Sequence, residues 1–256
     1  MRKVYYILWL VMLGCIGCEW QFKSPEEEDK TIVVDRYDRV QSLYLTTGDF
    51  SALQQMNTAY PMQTRTLIED VLRIGKVDDA EINNKFLHFY QDSTLQALIA
   101  ESELQYANMD DINSQLTSAF NYLDDVIPNL ERPEVYAQIG SLDQSIVVSG
   151  SSLGVSLDKY LGSDYPFYRD HYSESDRALM KRDMIVPDCL VFYLLSLYPL
   201  PKDLQQEEHD IHIGRILYVV NHLMQRQVFK TEYVDKTAAY MHKHPNTSFT
   251  ELLQDR

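Results

Sequence analysis

Glu207-Glu208-His209-Asp210-Ile211-His212 is the densest cluster of groups that could do chemistry in this chain. His209 and His212 lie three residues apart, so on a helix both can face one way. With Glu208 or Cys189 they could complete a metal site, since imidazole, carboxylate and thiolate all ligate transition metals. The same residues have a plainer use. Glu207, Glu208 and Asp210 suit a helix N-terminus, where the macrodipole favours negative charge. The sequence favours that second use, and no metal ligand or cofactor is assigned. Asp188-Cys189 is a second conceivable pair, of nucleophile and partner. A cysteine inside Leu-Val-Phe-Tyr-Leu-Leu is better read as a small core residue with a raised pKa. No catalytic residue is assigned. No glycine-rich phosphate loop stands out, and Ser149-Gly-Ser-Ser152 reads as a hairpin turn rather than a nucleophile elbow.

The other chemistry written into the chain is covalent attachment. Arg2 and Lys3 precede an almost unbroken apolar run from Val4 to Gly17. That run fits the apolar region of a signal peptide and is short for a membrane span of roughly 20 residues. It ends in Gly-Cys twice, at 14–15 and 17–18, which looks like a bacterial lipobox, cut before a cysteine whose thiol receives diacylglycerol. Cys18 is favoured, because polar Glu19-Trp20-Gln21 follows it. Cys15 is the alternative, and Met12-Leu13-Gly14 before it fits a lipobox reasonably. Residues 1–17 are then a signal, 18–30 a lipidated tether carrying the acidic run Glu26 to Asp29, and 31–256 a single domain. Several buried acyl methylenes, at roughly 0.8 kcal/mol each, would hold such a chain on a bilayer.

Composition narrows the partners. The chain has 256 residues and a formal charge of −15. So acidic a surface repels nucleic acid, which is excluded as a partner. If Cys15 leaves with the signal and Cys18 carries lipid, Cys189 is alone and no internal disulfide can form. Packing must then hold the fold, and 45% apolar residues with 18 Tyr and 9 Phe are ample for it.

Hydrophobic periodicity places the elements. Val33, Val34, Tyr37, Val40, Leu43 and Tyr44 recur at helical spacing. Pro61 opens a helix through Leu67, Ile68, Val71 and Leu72. Ile82, Phe86, Leu87, Phe89 and Tyr90 mark another, and Asp92-Ser93 caps the next. Ile112, Leu116, Ala119, Phe120, Leu123, Val126 and Ile127 repeat at the 3.6 period and stop at Pro128. After Pro133 come β-branched runs at 135–139, 145–148 and 153–157. They predict a small, largely antiparallel sheet over about 134–157. Helices resume with Pro187 at the first helical position. A long one over 203–228 buries Ile213, Ile216, Leu217, Val220, Leu223 and Met224, a weaker one spans 231–243, and a short one is capped by Asn246 or Thr247. The fold class is α+β, mostly helical. Tyr160, Tyr165, Phe167, Tyr168 and Tyr172 form an aromatic stretch that could be a recognition surface, although such residues more often close a loop onto the core. Asp158 and Asp164 flank it as acceptors for its hydroxyls.

Leu153-Gly-Val-Ser-Leu-Asp-Lys-Tyr-Leu-Gly-Ser-Asp-Tyr-Pro-Phe-Tyr168 resembles the gliding-motility lipoprotein GldB family of Bacteroidetes, as do Ile185-Val-Pro-Asp188 and Gly214-Arg-Ile-Leu-Tyr218. The resemblance covers about two-thirds of the chain. Relatives are expected to continue beyond the helix at 231–243. It implies an envelope lipoprotein, anchored to the outer membrane by its lipid, with envelope proteins as partners and a structural or interaction role. A fainter likeness joins the region to zincin-like zinc peptidases, whose H-E-x-x-H helix would fall at Ile185-Val-Pro-Asp-Cys-Leu-Val-Phe-Tyr. Neither the His nor the Glu is there. The competing readings are a divergent metal-dependent peptidase using His209 and His212, and a peptide- or glycan-binding lipoprotein.

Overall fold

The computed structural model describes residues 31–200 and 205–254. The expected signal, the tether and both candidate lipidation sites, Cys15 and Cys18, lie outside the described residues.

The N-terminal half is built from helices whose ends are set by short-range chemistry. α1 (Tyr37–Thr47) stops at Gly48, which takes φ +70° so that its N–H can reach the Tyr44 carbonyl. Asp49 then caps α2 (Phe50–Thr58), accepting from the N–H groups of Ser51 and Ala52. Pro61 is the first residue of α3 (Pro61–Arg65), where its missing N–H costs nothing. α3 runs into a π-helical turn, Thr66–Val71, that buries Leu67, Ile68 and Val71. α4 (Ile82–Phe89) and α5 (Ser93–Gln105) follow, the latter capped by Asp92 through Thr94 and Leu95. α6 (Asp110–Val126) buries Ile112, Leu116, Ala119, Phe120 and Leu123, the predicted stripe.

α1 departs from its predicted stripe. Val34, Tyr37 and Tyr44 are buried, but Val33 and Leu43 face outward, and Asp38, Gln41 and Ser42 turn inward. Asp38 and Gln41 go in with partners, while the Ser42 hydroxyl is buried without one among the described residues. Asp38 pairs with Arg36 at 2.7 Å, and the Gln41 amide accepts from the Ile139 N–H and donates to the Ile139 carbonyl, at 2.9 and 2.8 Å.

The sheet has three strands, β1 (Glu134–Gln138), β2 (Ile146–Ser149) and β3 (Ser152–Ser156), in the order β1-β3-β2. It is mixed. β2 and β3 form the expected antiparallel hairpin, turned at Gly150 with φ +57°. β1, however, pairs with β3 in parallel. The stretch 139–145 carries the chain past the slot that β3 later fills, and local pattern cannot show that. Asp35 adds one parallel bridge on the far side of β1.

The C-terminal part is helical again: a 3-10 turn (Leu157–Lys159), α7 (Pro166–His171), α8 (Glu174–Arg177), a second 3-10 turn (Arg182–Met184), α9 (Ile185–Leu197), α10 (Gln206–Leu223), α11 (Glu232–Lys243) and α12 (Phe249–Gln254). α9 starts two residues before Pro187, which still lies in the first turn, where N–H groups have no helical acceptor. α10 ends earlier than predicted. The Asn221 side chain takes the N–H groups of Val228 and Phe229, both at 2.8 Å, and folds the chain back. Of its predicted stripe, Ile216, Val220 and Leu223 are buried, joined by Val219, while Ile213, Leu217 and Met224 are only partly covered. Gly214 lets α11 approach closely, since a Cβ there would stand 2.5 Å from the Tyr233 side chain. Ser248, one residue beyond the predicted caps, closes the start of α12 by exchanging hydrogen bonds with Glu251. Among the described residues no helix is long and apolar enough to cross a membrane.

Candidate functional site

Because β1 and β3 run parallel, their carboxyl ends open on the same side, and the loops leaving them meet there. Such strand ends are where α/β sheets bind ligands. The loop after β1 is strained: Ser141 and Leu142 hold φ +54° and +65°. A non-glycine residue in that region costs about 1–2 kcal/mol. Asp158, in the 3-10 turn after β3, holds the loop there. Its buried carboxylate accepts from the Gly140 N–H at 2.7 Å and the Leu142 N–H at 2.5 Å. Burial lifts the Asp158 pKa above the usual carboxylate range, although these two donors pull it down. From the other side Gln41 and the Tyr90 hydroxyl, which donates at 2.6 Å, fix Ile139.

Two residues further on, the Tyr160 hydroxyl donates to the Asp188 carboxylate at 2.7 Å. Asp188 is in the first turn of α9 and is partly buried. Burial raises its pKa to about 6, against the opposing pull of the Tyr160 hydroxyl. A carboxyl with that value is half-charged near pH 6 and roughly nine-tenths charged at pH 7, and such a shifted group suits proton exchange or capture of a cation. Cys189 beside it is wholly buried, and burial, then the Asp188 charge, pushes its thiol pKa up. That is the environment of a packed core thiol, as expected from its neighbours.

The aromatic stretch divides in two. Tyr160 and Tyr168 are buried, so neither offers its ring to a partner. Tyr168 accepts from the Leu161 N–H at 3.2 Å and donates to the backbone carbonyl of Asp158. The Tyr160 carbonyl accepts from the Tyr106 hydroxyl at 2.6 Å. Both rings are pillars under the segment, because each hydroxyl and each ring finds a partner inside. Tyr165, Phe167 and Tyr172 are partly exposed and retain the recognition reading. Tyr165 and Tyr172 pack edge-on against Tyr168, at 5.1 and 5.8 Å, and Phe167 stacks on His171 at 4.0 Å. Asp158 gives the tyrosines only its carbonyl, and its carboxylate goes to backbone N–H groups.

The histidines lie elsewhere, on the first turns of α10. Glu208 closes a capping box there, its carboxylate accepting from the Gln205 N–H at 2.9 Å. His212 Nε2 lies 2.8 Å from the Tyr198 carbonyl at the end of α9, and His209 Nδ1 lies 3.4 Å from the Asp210 carboxylate. Among the described residues no group of three or more His, Cys, Asp or Glu converges as a metal site. His209, His212, Glu208 and Cys189 are therefore not brought together. Glu208 is spent on the cap, His212 ties two helices, and Cys189 is in the core. The sequence named Asp158 and Asp188 without seeing their task. The available signal was an acid embedded in an apolar run, in Ser156-Leu157-Asp158 and Val186-Pro187-Asp188-Cys189.

The chain matches no curated protein and no solved structure. A family model described as gliding motility protein GldB matches residues 21–236. That span includes both carboxylate loops, the mixed sheet and α9 and α10, and it exceeds half of the chain: the protein belongs to the GldB family.

Proposed function

We propose that this chain is a lipid-anchored envelope lipoprotein of the GldB type that acts by binding and positioning other envelope proteins, without catalysis. The family match over residues 21–236 carries this reading. The lipid is assigned to Cys18, with Cys15 as the alternative, and the location to the outer membrane. Three of the groups that chemistry would draw on have structural duties, which supports a binding role. His212 ties α10 to the end of α9, Cys189 fills the core, and Glu208 completes a helix cap. The partly exposed Tyr165, Phe167 and Tyr172 are the aromatic surface proposed for contact with a partner.

The test is fractionation of cells making wild-type or Cys18→Ala chain, followed by crosslinking. The wild-type chain is expected with membranes and crosslinked to an envelope protein. Cys18→Ala is expected in the soluble fraction. A Cys18→Ala chain that still carries lipid would move the anchor to Cys15, and a wild-type chain that is soluble would overturn the anchored reading. The rival reading, a metal-dependent peptidase on His209 and His212, requires one metal per chain that is lost when either is replaced.

A further inference from the structure

A groove of about 620 Å³ lies where the end of α6 meets α10, α11 and α12. Val126, Tyr218, Ala238, Met241 and Phe249 give it an apolar lining. It is open to solvent along α11 and the turn before α12, where Ala238, His242, Pro245 and Ser248 are exposed. Tyr218 and His222 both stand edge-on to Phe249, with ring centroids 6.3 and 4.8 Å away. His222 is fixed in turn by Tyr122, whose hydroxyl lies 2.7 Å from its Nε2 and whose ring stacks on it at 5.5 Å. The aromatic corner is therefore set before anything enters it. Ala238, Met241, His242 and Phe249 lie beyond residue 236, where the family match ends, so the family description does not account for this groove.

The charge beside the groove runs against that of the whole chain. The sequence holds 38 acidic and 23 basic residues, yet from Lys236 to Thr250 there is no Asp or Glu. Lys236 is spent on Glu232 at 2.8 Å, and the Glu251 carboxylate is taken up by the Ser248 N–H and hydroxyl. The local balance is left to His242 and Lys243 in the last turn of α11, and to His244 after it. Among the described residues no acid lines the groove, and His242 stands at its exposed rim.

We propose that this groove takes up an aromatic side chain of a partner polypeptide, with a carboxylate next to that side chain held at His242. An entering ring can meet Tyr218 and Phe249 in the tilted arrangement that aromatic pairs prefer, and Met241 offers its sulfur to the ring edge. A free small molecule needs most of its surface buried, which a groove open along one side does not provide. One anchor residue of a longer chain has no such need, because the rest of that chain stays outside. An imidazole offers a carboxylate an N–H donor in either tautomer. The basic rim also attracts an acid that the rest of this anionic surface repels. The inference rests on the interaction reading above and adds to it a second contact surface and the residue types that surface receives.

The test is calorimetric titration of the full-length chain in detergent with short Gly-Ser peptides carrying a central Trp-Glu, Trp-Lys or Ala-Glu. Trp-Glu is expected to bind at least about tenfold more tightly than Ala-Glu, and about threefold more tightly than Trp-Lys. Ala238→Glu, at an exposed helix position, fills the groove and adds an acid to it. It is expected to weaken Trp-Glu binding by about tenfold, and it also sets the background from the detergent. His242→Ala should keep the binding of Trp and lose the preference for Glu over Lys. A benzophenone side chain in place of Trp should crosslink to residues 238–249 of the wild-type chain, which locates the peptide even if a variant folds poorly. Failure of the wild-type chain to bind Trp-Glu, equal binding of Ala-Glu, undiminished binding by Ala238→Glu, or crosslinks only outside the groove overturns the proposal. An unchanged preference in His242→Ala overturns the role given to His242. If peptide binding fails while membrane-dependent crosslinks to envelope proteins persist, the groove proposal falls and the interaction reading stands. Loss of those crosslinks as well would remove both.

Discussion

The first turns of α10 and the carboxyl ends of β1 and β3 both gather ionisable groups, and they use them in opposite ways. On α10 the groups stay near water and serve the helix itself. Glu208 caps it, and His209 has a side chain 45% exposed beside Asp210. At the strand ends Asp158 is fully buried and holds a strained loop, while Asp188 is partly buried and accepts from a tyrosine hydroxyl. A charge near water is screened and can be changed cheaply. A buried carboxylate must find donors, and removing it leaves those donors stranded. The region richest in chemical residue types thus does the least demanding work, and the sparser one carries the strain and the shifted pKa.

The sharpest way to break this contrast is Asp158→Ala. It strands the Gly140 and Leu142 N–H groups and frees the left-handed Ser141 and Leu142. A loss of about 3 kcal/mol is expected by denaturant unfolding. A loss under about 1 kcal/mol would make Asp158 no more demanding than the α10 groups.

Asp188 comes next. Its folded pKa of about 6 lies above the ordinary 3.8. The folded state therefore holds the proton more tightly, and the group's favourable contribution is complete below about pH 4. It is lost as pH rises from about 4 to about 6 and is constant above that. The full shift corresponds to about 3 kcal/mol, and with allowance for the solvent that reaches the group the expected fall is about 1–2 kcal/mol. Asp188→Asn should flatten that part of the stability profile. An unchanged profile would show that Asp188 is not the titrating group.

Smaller effects belong to α10. His212→Ala removes the contact with the Tyr198 carbonyl and is expected to cost about 1 kcal/mol. His209→Ala is expected to change stability by roughly 0.5 kcal/mol or less. Neither should alter the metal content of the purified chain by elemental analysis. A stoichiometric metal lost in either variant would reverse the ranking of the two regions and restore the peptidase reading.

Much of the fold can be read locally. The stripe of α6, the Asp92 cap of α5 and the hairpin turn at Gly150 each depend on residues within a few positions of one another. The same locality explains the failures. Tyr160 and Tyr168 could be read as recognition residues or as a loop closed onto the core, because their partners, Tyr106, Asp188 and the backbone of the 157–161 turn, are fixed by how the chain returns on itself. Leu43 read as core and Gln41 did not, until Ile139, 98 residues away, supplied a buried backbone to hold.

The sequence by itself determined the helical periodicities, the hairpin, most of the caps and the acidic charge of the chain. These follow from side-chain spacing, backbone preference and summed charge, which need no knowledge of distant contacts. The tertiary structure alone decided that β1 lies parallel to β3, that Asp158 holds the turn after β1 and that Asp188 faces the Tyr160 hydroxyl. Strand direction across a gap and the pairing of buried polar groups are set by long-range closure of the chain. No local pattern encodes which of many possible partners will be brought within 3 Å.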